Sequence, residues 1–330
     1  MKQKESQVTI VIPTRNRMFS LNRLLYSISK QTYLPKEIII VDSSDEKLTT
    51  SQLILPIQLE IKIIHSTPSV CLQRNIGIEE CNTEFIFLCD DDIEISKNYI
   101  EESVHFLERN PSENIVSGLI FEKRKGHWTY CNKAISTKGL IMAYIFGTSL
   151  TIDINKAVIP KCLILKKITD FYHKKDNHIS KAGWPIITNF KNNVIKTPIY
   201  GLGASIIRAQ ELKNKLFDTA FYTHGVGDNY DLAINLNCNI NVIKKAEAFH
   251  HKESINRINS NKAYYYRVSA LHYIMKKHKL FNNLHLAYLI WSLIGNSILF
   301  LFKGKLKLLF YNFELIIRII FNTPLYKSKH

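Results

Sequence analysis

Short apolar runs separated by polar turns dominate the first third of the chain. Val8 to Ile12 (VTIVI), Glu37 to Val41 (EIIIV), Ile61 to Ile64 and Phe85 to Ile95 (FIFLCDDDIEI) read as strands, rich in β-branched residues and bounded by turn residues. Between the first two, Met18, Leu21, Leu24, Leu25 and Ile28 recur at helical spacing and predict a helix. The stretch Pro68 to Gly77 opens a second helix, and Ser96 is placed to cap a third running to about Arg109. Strands alternating with helices imply an α/β fold with a mostly parallel sheet, its loops gathered along one edge.

The chemistry collects at the expected loop edge. Asp90, Asp91 and Asp92 follow the Phe85 run, at the carboxyl end where open α/β sheets place ligands. Adjacent carboxylates repel unless a cation or hydrogen-bond donors offset their charge. Mg²⁺ and Mn²⁺ suit such oxygens, although a solvated acidic turn has the same composition. The first strand ends at Pro13, and Thr14, Arg15, Asn16 and Arg17 form a basic turn before a helix, a place suited to phosphate. The second ends in Asp42, Ser43 and Ser44, where a carboxylate can accept hydrogen bonds from a base or ribose, or simply cap a turn.

The later chain is more varied. Gly118 to Tyr200 carries basic clusters and the aromatics Trp128, Tyr130, Phe171, Tyr172 and Trp184. Gly201 to Arg208 reads as a strand with small residues at its start, followed by a helix near Ala209. Asn241 to Lys244 reads as an edge strand, and His250, His251 and Lys252 come soon after. Leu284 to Phe302 contains no Lys, Arg, Asp or Glu, but Ser, Asn, Gly and His interrupt it. Lys303, Lys305 and Lys307 then lead into Leu308 to Phe321. Apolar, basic, aromatic helices of this kind suit a membrane interface, so a peripheral membrane anchor over 284–321 is expected. Packing on the domain or on a second subunit, giving a homodimer, is the main alternative; a true span ranks third, because lysines flank it on both sides.

Composition narrows the partners. The chain has 330 residues, 46% of them hydrophobic, with Lys+Arg 44 against Asp+Glu 28 and a formal charge of +16. That balance favours an anionic partner such as a nucleotide diphosphate or an acidic membrane. The basic residues are spread out and no nucleic-acid motif appears, so nucleic acid is not expected. The six cysteines are scattered without metal-ligand spacing and read as reduced thiols. The chain begins MKQKESQ and leads directly into a strand, without a secretory-signal pattern. The expected location is the cytoplasm, at the inner face of the membrane.

The succession VTIVIPTRNR, EIIIVDSS, Gln73-Arg74-Asn75-Ile76-Gly77-Ile78 and FLCDDDIEI resembles the family 2 glycosyltransferases, and covers about the first 120 residues. The resemblance implies a GT-A fold and an inverting transfer from a nucleotide diphosphate sugar to a glycan or lipid-linked hydroxyl, with Mn²⁺ or Mg²⁺ as cofactor. It implies a glycosyltransferase domain over 1–260, with a nucleotide-binding half (1–120) and an acceptor half (121–260), and a helical region over 261–330. By the same resemblance Pro13, Thr14, Arg15, Asp42, Arg74, Asn75, Asp90 and Asp91 contact the donor. Asp92 holds the metal, with His250 or His251 completing its shell. Aromatics of the 118–200 region would line an acceptor groove. Arg257 and Tyr264 to Arg267 would cover the site. In His224 to Ala233 the family pattern, Glu-Asp, one residue, Asp-Leu, aligns on Asp231-Leu232 and places Asn229 where the catalytic aspartate stands. Asn cannot take a proton at neutral pH. Asp228 is then the expected base and Asp231 the second choice. A catalytically inactive relative and a nucleotidyltransferase are the rival readings; the latter usually has a glycine-rich loop after the first strand, and PTRNR has no glycine. The role expected by association is surface-polysaccharide synthesis.

Overall fold

The structure, a computed structural model, describes residues 6–54, 59–132, 135–157, 159, 162–222 and 225–326. His224, which opens the acidic stretch before Asp228, lies outside them. In chain order the elements are β1 (Val8–Thr14), α1 (Met18–Ser29), β2 (Glu37–Asp42), β3 (Ile61–His65), α2 (Val70–Glu80), β4 (Phe85–Cys89), β5 (Ile93–Ile95), α3 (Tyr99–Arg109), β6 (Ile115–Arg124) and β7 (His127–Thr129). There follow α4 (Thr137–Phe146), β8 (Leu150–Thr151), α5 (Leu163–Lys175), β9 (His178–Ile179) and β10 (Pro185–Ile187). The chain continues with β11 (Val194–Thr197), β12 (Ala204–Arg208), α6 (Ala209–Lys213), α7 (Asp228–Leu236) and β13 (Ile240–His250). It closes with α8 (Ser260–Lys277), α9 (Asn283–Phe302) and α10 (Leu306–Ile320).

Two compact units result. The first comprises Met1–Tyr130, Asn193–Lys196 and Tyr200–Arg257. Its sheet has the order β11-β13-β6-β12-β4-β1-β2-β3, with β5 added to β13 and β7 to β6. Strands β4, β1, β2 and β3 are mutually parallel. Strand β12 runs antiparallel between β4 and β6, and β13 is parallel to β6. Every residue of β4 is buried, which is why it reads as a continuous apolar run. One face of α1 supplies Leu21, Leu24, Leu25 and Ile28 to the core, against Ile10, Ile12, Phe85 and Phe87. Each such side chain stabilises the fold by about 1.5–3 kcal/mol.

Several sequence expectations change in detail. Strand β1 runs past Pro13 to Thr14; Pro13 lies beyond the β1–β4 ladder, which ends at Val11↔Leu88, so its missing N–H breaks no bond on that side. The apolar run ends at Cys89, and Ile93–Ile95 is a separate strand antiparallel to β13. Helix α3 is preceded by Asn98, not Ser96, whose hydroxyl accepts from the Glu247 N–H. The expected edge strand Asn241 to Lys244 is the first part of an eleven-residue strand lying inside the sheet. A register shift between Ile243 and Glu247 breaks its alternation, and this hid its length. Gly118 faces that irregularity. A β carbon there would lie 2.3 Å from the Tyr99 ring and 2.4 Å from the Ala246 carbonyl oxygen. The buried Tyr99 hydroxyl donates to the Ala204 carbonyl and accepts from the Gly118 N–H, tying α3 to β6 and β12.

The second unit comprises Cys131–Asn192, Thr197–Ile199 and Ile258–His330. Helices α4 and α5 and the small sheet β8-β10-β9 enclose Leu140, Leu150, Ile152, Leu165, Ile168 and Tyr172, so this segment has a core of its own. Trp184, expected in an acceptor groove, is buried and donates from Nε1 to Ser292 Oγ at 2.9 Å. The Tyr264 and Tyr265 hydroxyls, expected to cover the donor, donate to Asn312 and Glu314 of α10.

Candidate active site

The parallel strands β1, β2 and β3 end in register at Thr14, Asp42 and His65. The Asp42 carboxylate is buried. It accepts from the Ser44 N–H and hydroxyl and from the Leu48 N–H, and lies 3.2 Å from His65 Nδ1. Gln73 of α2 bridges the strand ends, donating to the carbonyls of Thr14 and Val41 at 2.9 and 2.7 Å. Asn16 takes a left-handed turn (φ 54°), and the two arginines beside it meet different partners. Arg15 pairs with exposed Asp45 at 3.3 Å, whereas Arg17 donates to Asp91 at 3.0 Å. Arg15 is the one expected at the donor, and nothing in PTRNR distinguishes which arginine turns toward the acids.

The three aspartates occupy different environments. Asp90 is partly exposed and accepts from Arg74 Nη2 at 2.6 Å. Asp91 is buried and accepts from Thr14 Oγ1 and Arg17 Nη1. Burial, with help from the neighbouring Asp92, pushes its carboxyl up to about 6 against the pull of Arg17. Asp92 is equally buried. Burial raises its proton affinity too, but the hydrogen bond and charge of His250 and the charges of Arg17 and Arg257 outweigh it and hold the carboxyl down at about 2.

Arg74 has the deepest position. It is buried, its Nη1 lies 2.5 Å from Asp228 Oδ2, and its guanidinium stacks over the Phe217 ring at 5.0 Å. Asp228, the first residue of α7, accepts from the Asn229 N–H with its other oxygen. Burial raises the Asp228 carboxyl, and Arg74 pulls it back. Asp231 is buried on the same first turn. Asn75, expected at the donor, uses both ends of its amide on the Phe217 main chain at 2.9 Å. These two bonds hold the Phe217 main chain and so position the ring under Arg74.

The segment after β13 returns across the acids. His250 Nε2 lies 3.2 Å from Asp92 Oδ1, and Arg257 Nη2 lies 3.3 Å from Asp92 Oδ2. Arg17 donates to the Ile255 carbonyl and Asn256 to the Arg15 carbonyl, so this segment is fastened to the first loop. His251 turns elsewhere: its ring pairs with Glu94 at 2.9 Å and meets Trp128 edge-on at 5.2 Å. Among the described residues no three His, Cys, Asp or Glu side chains gather as a metal cage. Asp92 with His250 supplies one hard oxygen and one imidazole. That fits a Mg²⁺ or Mn²⁺ ion taking its remaining ligands from phosphate and water, as such ions commonly do.

The fold and these strand-end acids define a GT-A glycosyltransferase architecture. A crystal structure of S. aureus TarS 1-349 in complex with UDP-GlcNAc aligns over 95% of this chain and 81% of that one, at 15% identity and TM-score 0.51. A crystal structure of GalNAc-T7 with UDP, GalNAc and Mn²⁺ aligns over 82% of this chain and 48% of that one, also at 15% identity and TM-score 0.51. Residues 9–180 match the model of glycosyl transferase family 2, and the chain belongs to that family. The uncharacterized glycosyltransferase YwdF of Bacillus subtilis (strain 168) is 35% identical over 126 residues, which are 36% of this chain and 46% of that relative. The match thus spans less than half the length of that curated relative.

Gly203 bears directly on the acid cluster. A β carbon there would lie 2.1 Å from Asp90 Oδ2. Gly203→Ala is expected to push Asp90 off Arg74 and to cost about 1–3 kcal/mol by thermal unfolding, the usual range for overpacking. Adding Asp90→Ala should remove most of that penalty. An undiminished penalty in the double variant would place the clash elsewhere.

Proposed function

We propose that the chain transfers a sugar, with inversion, from a nucleotide diphosphate donor to a hydroxyl of a glycan or lipid-linked acceptor. The observation that carries this reading is the strand-end arrangement of a family 2 chain, in which Asp92 and His250 lie side by side while Arg74 joins Asp90 to Asp228. Asp42, with Thr14 nearby, takes the nucleoside end, and Asp90 the ribose side. Asp92 and His250 would hold a divalent ion, which when bound would neutralise charge on the leaving diphosphate. Arg17, Arg74 and Arg257 add positive charge around it. Asp228 accepts the proton of the acceptor hydroxyl, whose oxygen attacks the anomeric carbon as the bond to the diphosphate breaks. Burial raises the proton affinity of Asp228, which suits a base, and Arg74 fixes its orientation. The work is done at the inner face of the membrane, in surface-polysaccharide assembly.

A nucleotide screen by thermal shift tests this, with UDP, GDP, dTDP and CDP, each with and without Mn²⁺. UDP comes first because both solved structures hold a uridine diphosphate group. Binding to the native state raises the midpoint by mass action. A metal-dependent shift that disappears in Asp92→Ala is expected, and no shift with any nucleotide would sink the donor site. Asp228→Asn should then lower transfer about a hundredfold, within the range for general-base loss, with the nucleotide shift retained. A second reading, a chain that binds nucleotide sugar without transferring it, is favoured by Asn229. Its Oδ1 is buried without a hydrogen-bond partner among the described residues, and an amide cannot serve as the base. Nucleotide binding without turnover of any donor would decide for it.

A further inference from the structure

Helix α10 is apolar on two sides. Leu308, Asn312, Leu315 and Ile319 are buried in the second unit. There Asn312 accepts from the Tyr264 hydroxyl and donates to Ser297 Oγ and the Leu293 carbonyl. The opposite side carries Leu306, Phe310, Phe313, Ile317 and Ile320, spaced four, three, four and three residues apart and all exposed, Phe310 at 69%. A surface helix normally gives that side to polar residues. Lys303 and Lys305 precede α10 and Lys307 stands in its first turn, all three exposed, and Lys138 Nζ sits 3.6 Å above the ring of exposed Phe302. An apolar stripe with a lysine collar at one end complements lipid tails beneath anionic headgroups. A second copy would instead bring like charge to the contact.

We propose that the outward side of α10 and its lysine turn form a docking surface for an anionic lipid bilayer, on which the helix lies in plane. The inference rests on the membrane-side placement proposed above and names its surface. Helix α9 is long and apolar enough to cross a membrane by length and composition. Its centre is committed to its own unit: Ser292 accepts from Trp184, Leu293 accepts from Asn312, and Gly295 lies against the Phe146 ring. On this proposal α9 is the support on which α10 rides.

The test is flotation of the purified full chain with phosphatidylcholine vesicles, with and without phosphatidylglycerol. Binding is expected only with phosphatidylglycerol, weakened by salt. It should fall about tenfold or more in Phe310→Ser/Phe313→Ser/Ile317→Ser, which removes three apolar contacts. Lys303→Glu/Lys305→Glu/Lys307→Glu should abolish the preference for the anionic lipid. The UDP thermal shift, read on the same variants, should be unchanged, which separates a failed dock from a failed donor site. Equal vesicle binding by wild type and the triple serine variant would overturn the proposal. So would a wild-type dimer by light scattering that becomes a monomer in the serine variant, since the stripe would then be a subunit interface. Resistance of cellular membrane-bound protein to alkaline carbonate would show that α9 spans, and would also overturn it.

Discussion

With methionine in place of Arg74, the protein is expected to lose about 3–5 kcal/mol of stability at neutral pH, the range for removing one partner of a buried ion pair. The guanidinium is nearly enclosed and joins Asp90 at 2.6 Å to Asp228 at 2.5 Å. Methionine fills much of the space but leaves the Asp228 charge buried without its counter-ion. Lysine should rescue only part of the loss, because a point charge cannot meet two carboxylates through separate N–H groups. The pH dependence has a definite sign. Burial already raises the Asp228 carboxyl in the native protein, and losing Arg74 raises it further. The folded state of the variant then binds a proton that the unfolded state releases, so its deficit deepens as pH rises through that interval and shrinks on acidification. Urea unfolding at neutral and mildly acidic pH checks this. The double variant Arg74→Met/Asp228→Asn should recover most of the loss. A deficit independent of pH, and unchanged in the double variant, would mean that Arg74 acts through its packing on Phe217 instead.

Asp91→Asn is expected to act in the opposite direction and stabilise the protein at slightly alkaline pH. The folded carboxyl is raised from 3.8 to about 6, chiefly by burial. Between those values the folded state binds the extra proton, so stability falls as pH rises through the interval, by about 3 kcal/mol once above it. Asparagine keeps an oxygen for Arg17 and an amide that can donate to the Thr14 hydroxyl, without the buried charge. The gain should therefore be largest near pH 8 and vanish near pH 4, where the native aspartate is itself protonated. Asp92 behaves oppositely: its depressed carboxyl contributes stability that is lost only as pH falls from about 4 through about 2. If Asp91→Asn destabilises the protein at pH 8, the Arg17 ion pair outweighs the burial of the charge.

The contrast between these neighbours shows where sequence reading stopped. The strands leading to Asp42 and Asp90, and the placement of the acids at strand ends, follow from the period and composition of apolar runs, and the structure has them. Which aspartate is buried under Arg17 and which meets His250 depends on long-range contacts that no local pattern encodes. Asp91 and Asp92 are adjacent, yet one is pushed up and the other held down by residues far away in the chain. The same limit hid the turning of His251 to Glu94 and the use of Asn75 on the Phe217 main chain. The full length of strand β13 is not legible because its register shift breaks the alternation on which a strand is recognised. The core of the second unit is not legible in the sequence because its strands are only two or three residues long, too short to show a period.

The position of β12 also constrains how the chain can be made. This strand pairs with β4 on one side and β6 on the other, yet leaves the ribosome after both. Roughly 120 residues separate the two edges of the β4–β12 ladder along the chain, and at about 5–20 residues per second their synthesis takes on the order of ten seconds. Throughout that time a wholly apolar strand edge, Phe85 to Cys89, has no partner on one side, and Asp92 awaits His250 and Arg257 from later still. Unpaired edges of this kind invite pairing with other nascent chains. Expression of this protein should therefore depend on holdase chaperones acting at the ribosome more than its final stability would suggest.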